Sequence, residues 1–151
     1  MPPTQARIGH GTLLKRGNGA TPEIFETIAE VTSINPPEMQ SEDVKVSHME
    51  SPGGYHEYIP GMREAGEVSF DINFLPANPT HDGTTGLAGD HRNRTVRNWR
   101  IDLAGGGAFW LFAGYVKSFK VAIPVDDKVS ASVAIKVTGE PLLSAVLPPA
   151  A

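Results

Sequence analysis

The sequence predicts a mainly β domain in which two packed antiparallel sheets form a sandwich or barrel, with one flanking α-helix and one long extended loop. Two segments alternate between apolar and polar residues, and a third is apolar almost throughout. The 16 glycines and 13 prolines fall mostly between such segments, where they end strands and form turns. A length of 151 residues suits a single domain over residues 1–151, with residues 1–10 and 142–151 as extended terminal arms.

The two alternating segments are the clearest strands. In residues 67–75 (EVSFDINFL), every second residue from Val68 to Phe74 is apolar, and the residues between them are polar. In residues 129–137 (VSASVAIKV), the odd-numbered positions are apolar and the even-numbered ones are mainly small or polar. Because successive side chains of a strand point to opposite faces, each segment should place one face in the core and the other in water.

Further strands follow from composition and from turn residues. Residues 108–116 (AFWLFAGYV) are apolar at nearly every position, which is typical of a central strand covered on both sides or of a strand at a subunit contact. Their expected partner is residues 99–103, joined to them through three glycines at 105–107. Residues 11–16, 24–34 and 44–47 complete the predicted strands, with the prolines at 36 and 37 ending the second of these.

One helix and one long loop interrupt the strands. Residues 86–98 have apolar spacing compatible with a helical face, and Thr84 or Thr85 is the expected N-cap. Residues 48–63 show no periodicity and contain two prolines and three glycines, which predicts a long loop or an extended hairpin. Loops of this length in a compact domain are usually functional or interfacial.

Composition and charge exclude several classes of protein. The formal net charge of −4 argues against a protein that coats nucleic acid by neutralising phosphates. With no cysteine, the chain has neither disulfides nor thiolate ligands. We find no export signal and no apolar run long enough to insert in a membrane, and we expect a soluble protein.

The charges are unevenly distributed. Residues 38–71 contain eight acidic and two basic side chains. A basic cluster follows at Arg92, Arg94, Arg97 and Arg100. The first interpretation of this cluster is a solvated face. The alternative is that it faces an acidic surface on a neighbouring copy.

No residue pattern favours catalysis or a cofactor. The five histidines lack metal-ligand spacing, and Ser51, His56 and Glu57 lie in a glycine-rich loop without a nucleophile elbow. Asp126 and Asp127 are interpreted as a turn between strands, not as paired catalytic carboxylates. The chain is therefore expected to be neither an enzyme nor a cofactor- or metal-binding protein.

An ordered set of segments resembles the tail tube proteins of long-tailed bacteriophages. The segments are AEVTSIN at 29–35 followed by two prolines, Asp43 and Val44, SPGG at 51–54, YIPG at 58–61, EVSFDINF at 67–74, FAGYVKSF at 112–119 and residues 129–140. The resemblance extends from about residue 11 to residue 141. Its strength is in the order of the segments, since each short motif alone has little specificity.

The resemblance implies a subunit that assembles with itself into hexameric rings stacked into a tube. Double-stranded DNA would pass through the lumen without sequence-specific binding, and the partners would be the tape-measure protein and the tail terminator and baseplate proteins. The particle would be an infectious phage or a relative such as a gene transfer agent, with the subunit located in its tail and assembled in the host bacterial cytoplasm. The second, immunoglobulin-like domain of some relatives is not expected here.

The resemblance also implies two sets of site residues. The contact between subunits or rings would be made by Ser51, Gly53, Gly54, Tyr55, Tyr58, Ile59, Pro60 and Gly61. The lumen would be lined by Lys45, Ser47, Glu67, Ser69, Asp71 and Asn73, and the acidic character of this region suits a bore to which DNA does not adhere. The alternative function is a monomeric β-sandwich that binds a carbohydrate or a host protein, motivated by the aromatic residues Trp99, Trp110 and Tyr115.

Overall fold

Strands dominate the computed structural model, which describes residues 3–4, 8–104 and 108–144. Within these ranges the elements are β1 (Leu13–Gly17), β2 (Phe25–Thr27), β3 (Val31–Asn35), β4 (Gln40–Lys45), β5 (Tyr58–Glu64), β6 (Glu67–Asn73), α1 (Leu87–Asn93), β7 (Val96–Asp102), β8 (Phe109–Ala122) and β9 (Ser130–Ser144). The predicted class, mainly β with two antiparallel sheets and one helix, is confirmed.

The strands form one large and one small sheet. Seven strands pair in the order β2-β1-β7-β8-β9-β6-β3, and β4 pairs with β5 in a separate hairpin. The long β8–β9 hairpin forms the middle of the large sheet and pairs with β7 on one side and β6 on the other. The sheet does not close into a barrel, but it curves enough for β1 and β3 to come into contact.

The prediction of one strand over residues 24–34 is wrong. β2 and β3 lie on opposite edges of the large sheet, and residues 28–30 carry the chain from one edge to the other. Glu30 has a φ of 52°, in the left-handed region, and the Ile28 amide donates to the Leu14 carbonyl at 2.9 Å. The alternating sequence pattern therefore runs through a bend at residues 28–30. Contacts with β1 stabilise this bend, and the local sequence does not reveal it.

The core lies on the inner face of the curved sheet, as the alternation predicts. Val68, Phe70 and Ile72 of β6 are buried, and so are the odd-numbered residues of β9 from 131 to 137. Trp99 is completely buried, and its indole Nε1 donates to the Gly114 carbonyl at 3.0 Å. The predicted pairing of β7 with β8 is confirmed, whereas the glycines at 105–107 fall outside the described residues.

The helix is present where expected, but its extent and its cap differ from the prediction. It ends at Asn93, because the C-cap Arg94 has a left-handed φ of 54° that stops the helical path, and β7 begins at Val96. The N-cap is Gly86, without a side-chain cap bond, so neither predicted threonine caps the helix. Asp82 Oδ1 instead accepts the amides of Thr84, Thr85 and Gly86 at 3.1, 2.7 and 2.8 Å.

The remaining segments show smaller differences. The first strand is confirmed as β1, and the turn predicted at Asp126 and Asp127 joins β8 to β9. Of residues 48–63, the second half is strand β5, so the extended hairpin is the alternative observed. β4 starts earlier than the predicted 44–47 and ends at Lys45. β9 includes residues 142–144 of the predicted terminal arm, and residues 145–151 lie outside the described part.

Candidate assembly surfaces

The β4–β5 hairpin extends from the large sheet as an exposed ribbon. Every residue of β4 is exposed, and in β5 only Gly61 is partly covered. Of the predicted contact residues, Tyr58, Ile59, Pro60 and Gly61 lie in β5, and the others lie in the segment joining the two strands. The hairpin exposes seven large apolar side chains, at Val44, Val46, Met49, Tyr55, Tyr58, Ile59 and Met62. An isolated two-stranded ribbon is marginally stable in water, so this surface is suited to contact with another molecule.

Hydrogen bonds give the tip of the hairpin a defined shape. A short 3₁₀ turn spans Pro52–Gly54, and Gly53 and Gly54 both have positive φ, which glycine adopts without strain. The Ser51 hydroxyl donates to Glu57 Oε2 at 2.8 Å and accepts the His48 amide at 2.9 Å. The Glu57 amide in turn donates to Ser47 Oγ at 2.8 Å.

The same contacts bear on whether Ser51, His56 and Glu57 could act in catalysis. Ser51 donates directly to a carboxylate, whereas His56 Nδ1 lies 3.4 Å from Ser47 Oγ. In a Ser-His-Asp triad the serine hydroxyl donates to a histidine, which accepts its proton during the attack. The geometry therefore assigns these polar groups to shaping the turn.

A second surface is the outer face of β8, β9, β6 and β3. Strand register aligns its side chains in rows: Lys120, Ser132, Asp71 and Ser33 form one row, and Ser118, Ala134, Ser69 and Asn35 form the next. The predicted lumen residues Glu67, Ser69, Asp71 and Asn73 all lie on this face, opposite the buried residues of β6. We call this surface the polar face.

Hydrogen bonds and ion pairs link neighbouring strands of the polar face. Asp71 accepts the Ser132 hydroxyl at 2.7 Å and the Ser33 hydroxyl at 3.1 Å, and the Asn35 amide donates to Ser69 Oγ at 3.0 Å. At one end Lys117 pairs with Glu67, and Lys136 pairs with Glu64. These lysine hydrogen bonds lower the pKa of both glutamates below the ordinary carboxyl range.

The structure divides the acidic residues of 38–71 between the polar face and the hairpin. Glu67 and Asp71 lie on the polar face, where the nearby lysines Lys117, Lys120 and Lys136 offset their charge. The acids at 42, 43, 50 and 57 lie on the hairpin, and the structure places Lys45 and Ser47 there too. The sequence pattern identified the β6 residues of the polar face. Their partners on β3, β8 and β9 could be identified only from the strand register.

The predicted basic cluster is divided between two environments. Arg97 Nε donates to the buried Asp90 at 2.9 Å, and Arg100 Nη2 donates to Asp102 at 3.3 Å. Arg92 and Arg94 are exposed, as a solvated face predicts. Buried Arg16 also binds Asp90 at 2.9 Å, so one carboxylate links the helix to β1 and β7.

The structure also bears on metal and membrane sites. In the described parts of the chain, no group of three or more His, Cys, Asp or Glu side chains is placed to hold a metal ion. The helical residues among them form no segment with the length and apolar character needed to cross a membrane. Of the aromatic residues that suggested a binding platform, Trp99 belongs to the core.

Comparison with known proteins agrees with this architecture. The solved tail of the empty gene transfer agent (GTA) particle, with C6 symmetry, superposes with a TM-score of 0.70 at 23% identity, covering 93% of this chain and 100% of that one. The virion of the native GTA particle gives 0.70 at 22% identity with the same coverage. The SPP1 tail tube gives 0.68 at 11% identity, covering 93% of this chain and 80% of that one. Identities this low show a shared fold.

The family assignment comes from sequence. No curated protein matches the chain at a significant level. A family model described as "Lambda phage tail tube protein, TTP" matches residues 8–144, which include every strand and the helix described above. The chain therefore belongs to the lambda phage tail tube protein family and is a structural subunit of a tail tube.

Proposed function

We propose that six copies of the chain form a ring, that the rings stack into a tube, and that the tube conducts double-stranded DNA during delivery from a phage or a gene transfer agent particle. The polar face lines the lumen, and the β4–β5 hairpin contacts a neighbouring copy. The tape-measure protein, tail terminator and baseplate are the other partners, and assembly takes place in the host bacterial cytoplasm. A ring of six is supported by the C6 symmetry of the solved GTA tail.

The polar face is the observation that carries this proposal. It spans four strands, and most of its side chains are short hydroxyl, amide or alanine groups. Two of its lysines are bound to glutamates, and Lys120 lies in the same row as Asp71. Proteins hold DNA by placing cations on phosphates and releasing counterions. A face with so little free positive charge would let DNA slide past.

Imaging of the purified protein tests the assembly. We expect negative-stain micrographs at high protein concentration to show rings and tubes, and class averages viewed along the tube axis to have sixfold symmetry. A chain that stays monomeric at all concentrations in light scattering would contradict the proposal. It would favour the alternative of a monomeric β-sandwich that binds a carbohydrate or a host protein.

A further inference from the structure

Two surfaces of opposite charge adjoin the polar face, whose ion pairs use Glu64 of the first and Lys117 of the second. The first is the acidic hairpin, residues 40–64, which carries five acidic and two basic side chains. Glu42 and Asp43 lie at the bulge of β4, next to the exposed pair formed by Val44 and Ile59. This hairpin therefore presents two carboxylates beside an apolar patch.

The second surface is the basic cleft between the end of α1 and strands β7 and β8. It has a volume of about 450 Å³ and is lined by His91, Arg94, Val96, Tyr115, Val116 and Lys117. Val96 and Tyr115 are 60% and 38% exposed, so apolar surface is open to solvent in the cleft. Arg92 lies on the same last turn of the helix as His91.

The cations of the cleft have few partners within the subunit. Lys117 pairs with Glu67, but Arg94, and Arg92 beside the cleft on the helix, form no ion pair with any residue that the structure describes. The acids at 42 and 43 form none within the same ranges either. Each surface therefore combines apolar area with two charges that form no ion pair among the described residues: Glu42 and Asp43 on the hairpin, and Arg92 and Arg94 at the cleft.

We propose that the acidic hairpin of one copy docks in the basic cleft of a second copy. Val44 and Ile59 cover the exposed Val96 and Tyr115, while the carboxylates of Glu42 and Asp43 approach the guanidinium groups of Arg92 and Arg94. This docking rests on the tube assembly proposed above and names the surfaces that make it. Because the two surfaces differ, each copy gives one hairpin and receives another, which is the head-to-tail contact that closes rings or extends filaments.

Phosphate groups of DNA are the other anions that this cleft could attract. Two observations favour a copy of the chain instead. The cleft contains exposed apolar surface, for which a phosphate backbone has no counterpart, and the hairpin offers a matching apolar pair beside the carboxylates of Glu42 and Asp43. Opposite charges on two protein surfaces also speed encounter and set the register of the contact.

Reciprocal charge reversal tests the docking. Variant one carries Arg92→Glu and Arg94→Glu, and variant two carries Glu42→Arg and Asp43→Arg. In either variant alone the facing charges repel, and we expect the protein concentration needed for tubes to rise by about tenfold or more. In an equal mixture every hairpin of one variant fits the cleft of the other, so tubes should form again with the two chains alternating. The exposed Lys128, which lies outside both surfaces, provides a control as Lys128→Glu, and that variant should assemble like the wild type.

The outcomes separate this docking from the proposed function. Wild-type tubes together with normal tubes from both variants would overturn the docking and leave the tube intact. Failure of the mixture to assemble, with both variants folded by circular dichroism, would also overturn it. Normal tubes from variant one with weakened retention of a DNA fragment would assign the cleft to nucleic acid. A wild-type protein that never assembles would overturn the proposed function itself.

Discussion

At the scale of single residues, the carboxylate of Asp90 joins three elements. Its side chain is 3% exposed and accepts from Arg16 on β1 and from Arg97 on β7, while Asp90 itself belongs to α1. Arg16 is nearly as buried, and its other acidic contact, Glu26, is 3.5 Å away and largely exposed. Removing one partner of a buried ion pair leaves the other charge without compensation.

We therefore expect Asp90→Asn to lower the free energy of unfolding by about 3 kcal/mol. Urea denaturation followed by tryptophan fluorescence measures this change, because Trp99 is buried in the native core. Asp126→Asn, in the exposed turn between β8 and β9, is the control and should leave the unfolding midpoint unchanged. Equal midpoints for both variants would show that the helix does not depend on this carboxylate.

Asp82 shapes the approach to the helix in a pH-dependent way. The backbone amides of Thr85, Gly86 and Thr84 hold the pKa of its carboxyl below the ordinary value of 3.8. Because the folded pKa is depressed, the stabilisation is complete above that ordinary value and is lost as the pH falls through the lower folded value. NMR titration of the Asp82 carboxyl should give a midpoint below 3.8, with the Thr85 and Gly86 amides shifting together.

The Asp82→Asn variant is the control for this titration, since it has no carboxyl to protonate. Its Thr85 and Gly86 amides should show no transition with the same midpoint. A carboxyl midpoint at or above the ordinary value would mean that the amide hydrogen bonds do not persist in solution.

At the scale of elements, the hairpin and the large sheet can be tested separately. The Val46 amide donates to the Glu57 carbonyl at 2.9 Å, next to the pair of Lys45 and Tyr58, so a two-residue Asn-Gly turn can replace residues 47–56 and close on this hydrogen-bonded pair. We expect the melting temperature to change little, because the replaced residues contribute nothing to the hydrophobic core. Tube formation should be lost or greatly reduced, because the variant keeps the docking residues of β4 and β5 but lacks the exposed Met49 and Tyr55 of the tip; sedimentation and negative-stain imaging measure this.

The matched control shortens a different exposed connection, the turn of residues 123–129 between β8 and β9, to the same Asn-Gly sequence. That variant also lacks exposed apolar side chains, at Ile123 and Val125, but retains the hairpin. Tubes from the hairpin variant would show that residues 47–56 are not needed for assembly. Loss of its melting transition would show that the tip supports the core.

Local patterns predicted some elements well because those elements have one buried and one exposed face. The alternation in β6 and β9 follows directly from burial of every second residue. The passage at residues 28–30 could not be predicted, since its bend depends on the Leu14 carbonyl and on β6. Likewise, Thr84 and Thr85 have the chemistry of helix caps, but Asp82 already binds the amides in that turn. Ser33 and Ser132 could be assigned to the polar face only from the strand register, which places both beside Asp71.

At the scale of the whole molecule, the absence of cysteine makes the proposed lumen open to chemical mapping. Ser132→Cys places a single thiol in the middle of the polar face. Gly83→Cys, before the helix, is a matched position away from that face, and a Cβ there meets no other atom within 4 Å. In monomers, both thiols should react with a bulky polymer-linked maleimide.

In assembled tubes we expect only the Gly83→Cys variant to react, because the tube wall excludes the polymer from the bore. A gel shift measures the labelled fraction in each state. Equal labelling of both positions in tubes would place the polar face on the outside. Protection of both positions would show that the loop before the helix also lies in a contact.

The short passage between β2 and β3 also affects how the chain folds over time. Because the passage joins opposite edges of the sheet, β2 and β3 do not pair with each other. β3 can pair only after β6 has been reached, and β1 pairs with β7, which lies far along the chain. Sheets built from such distant pairings fold in about milliseconds to seconds, whereas a local hairpin forms in roughly 1–10 μs. The β4–β5 hairpin can therefore form and reopen many times while the edges of the large sheet are still unpaired. During that interval an unpaired edge can pair with a strand of another incomplete chain. Misassembly is therefore more frequent when many copies are synthesised close together than when copies are synthesised slowly.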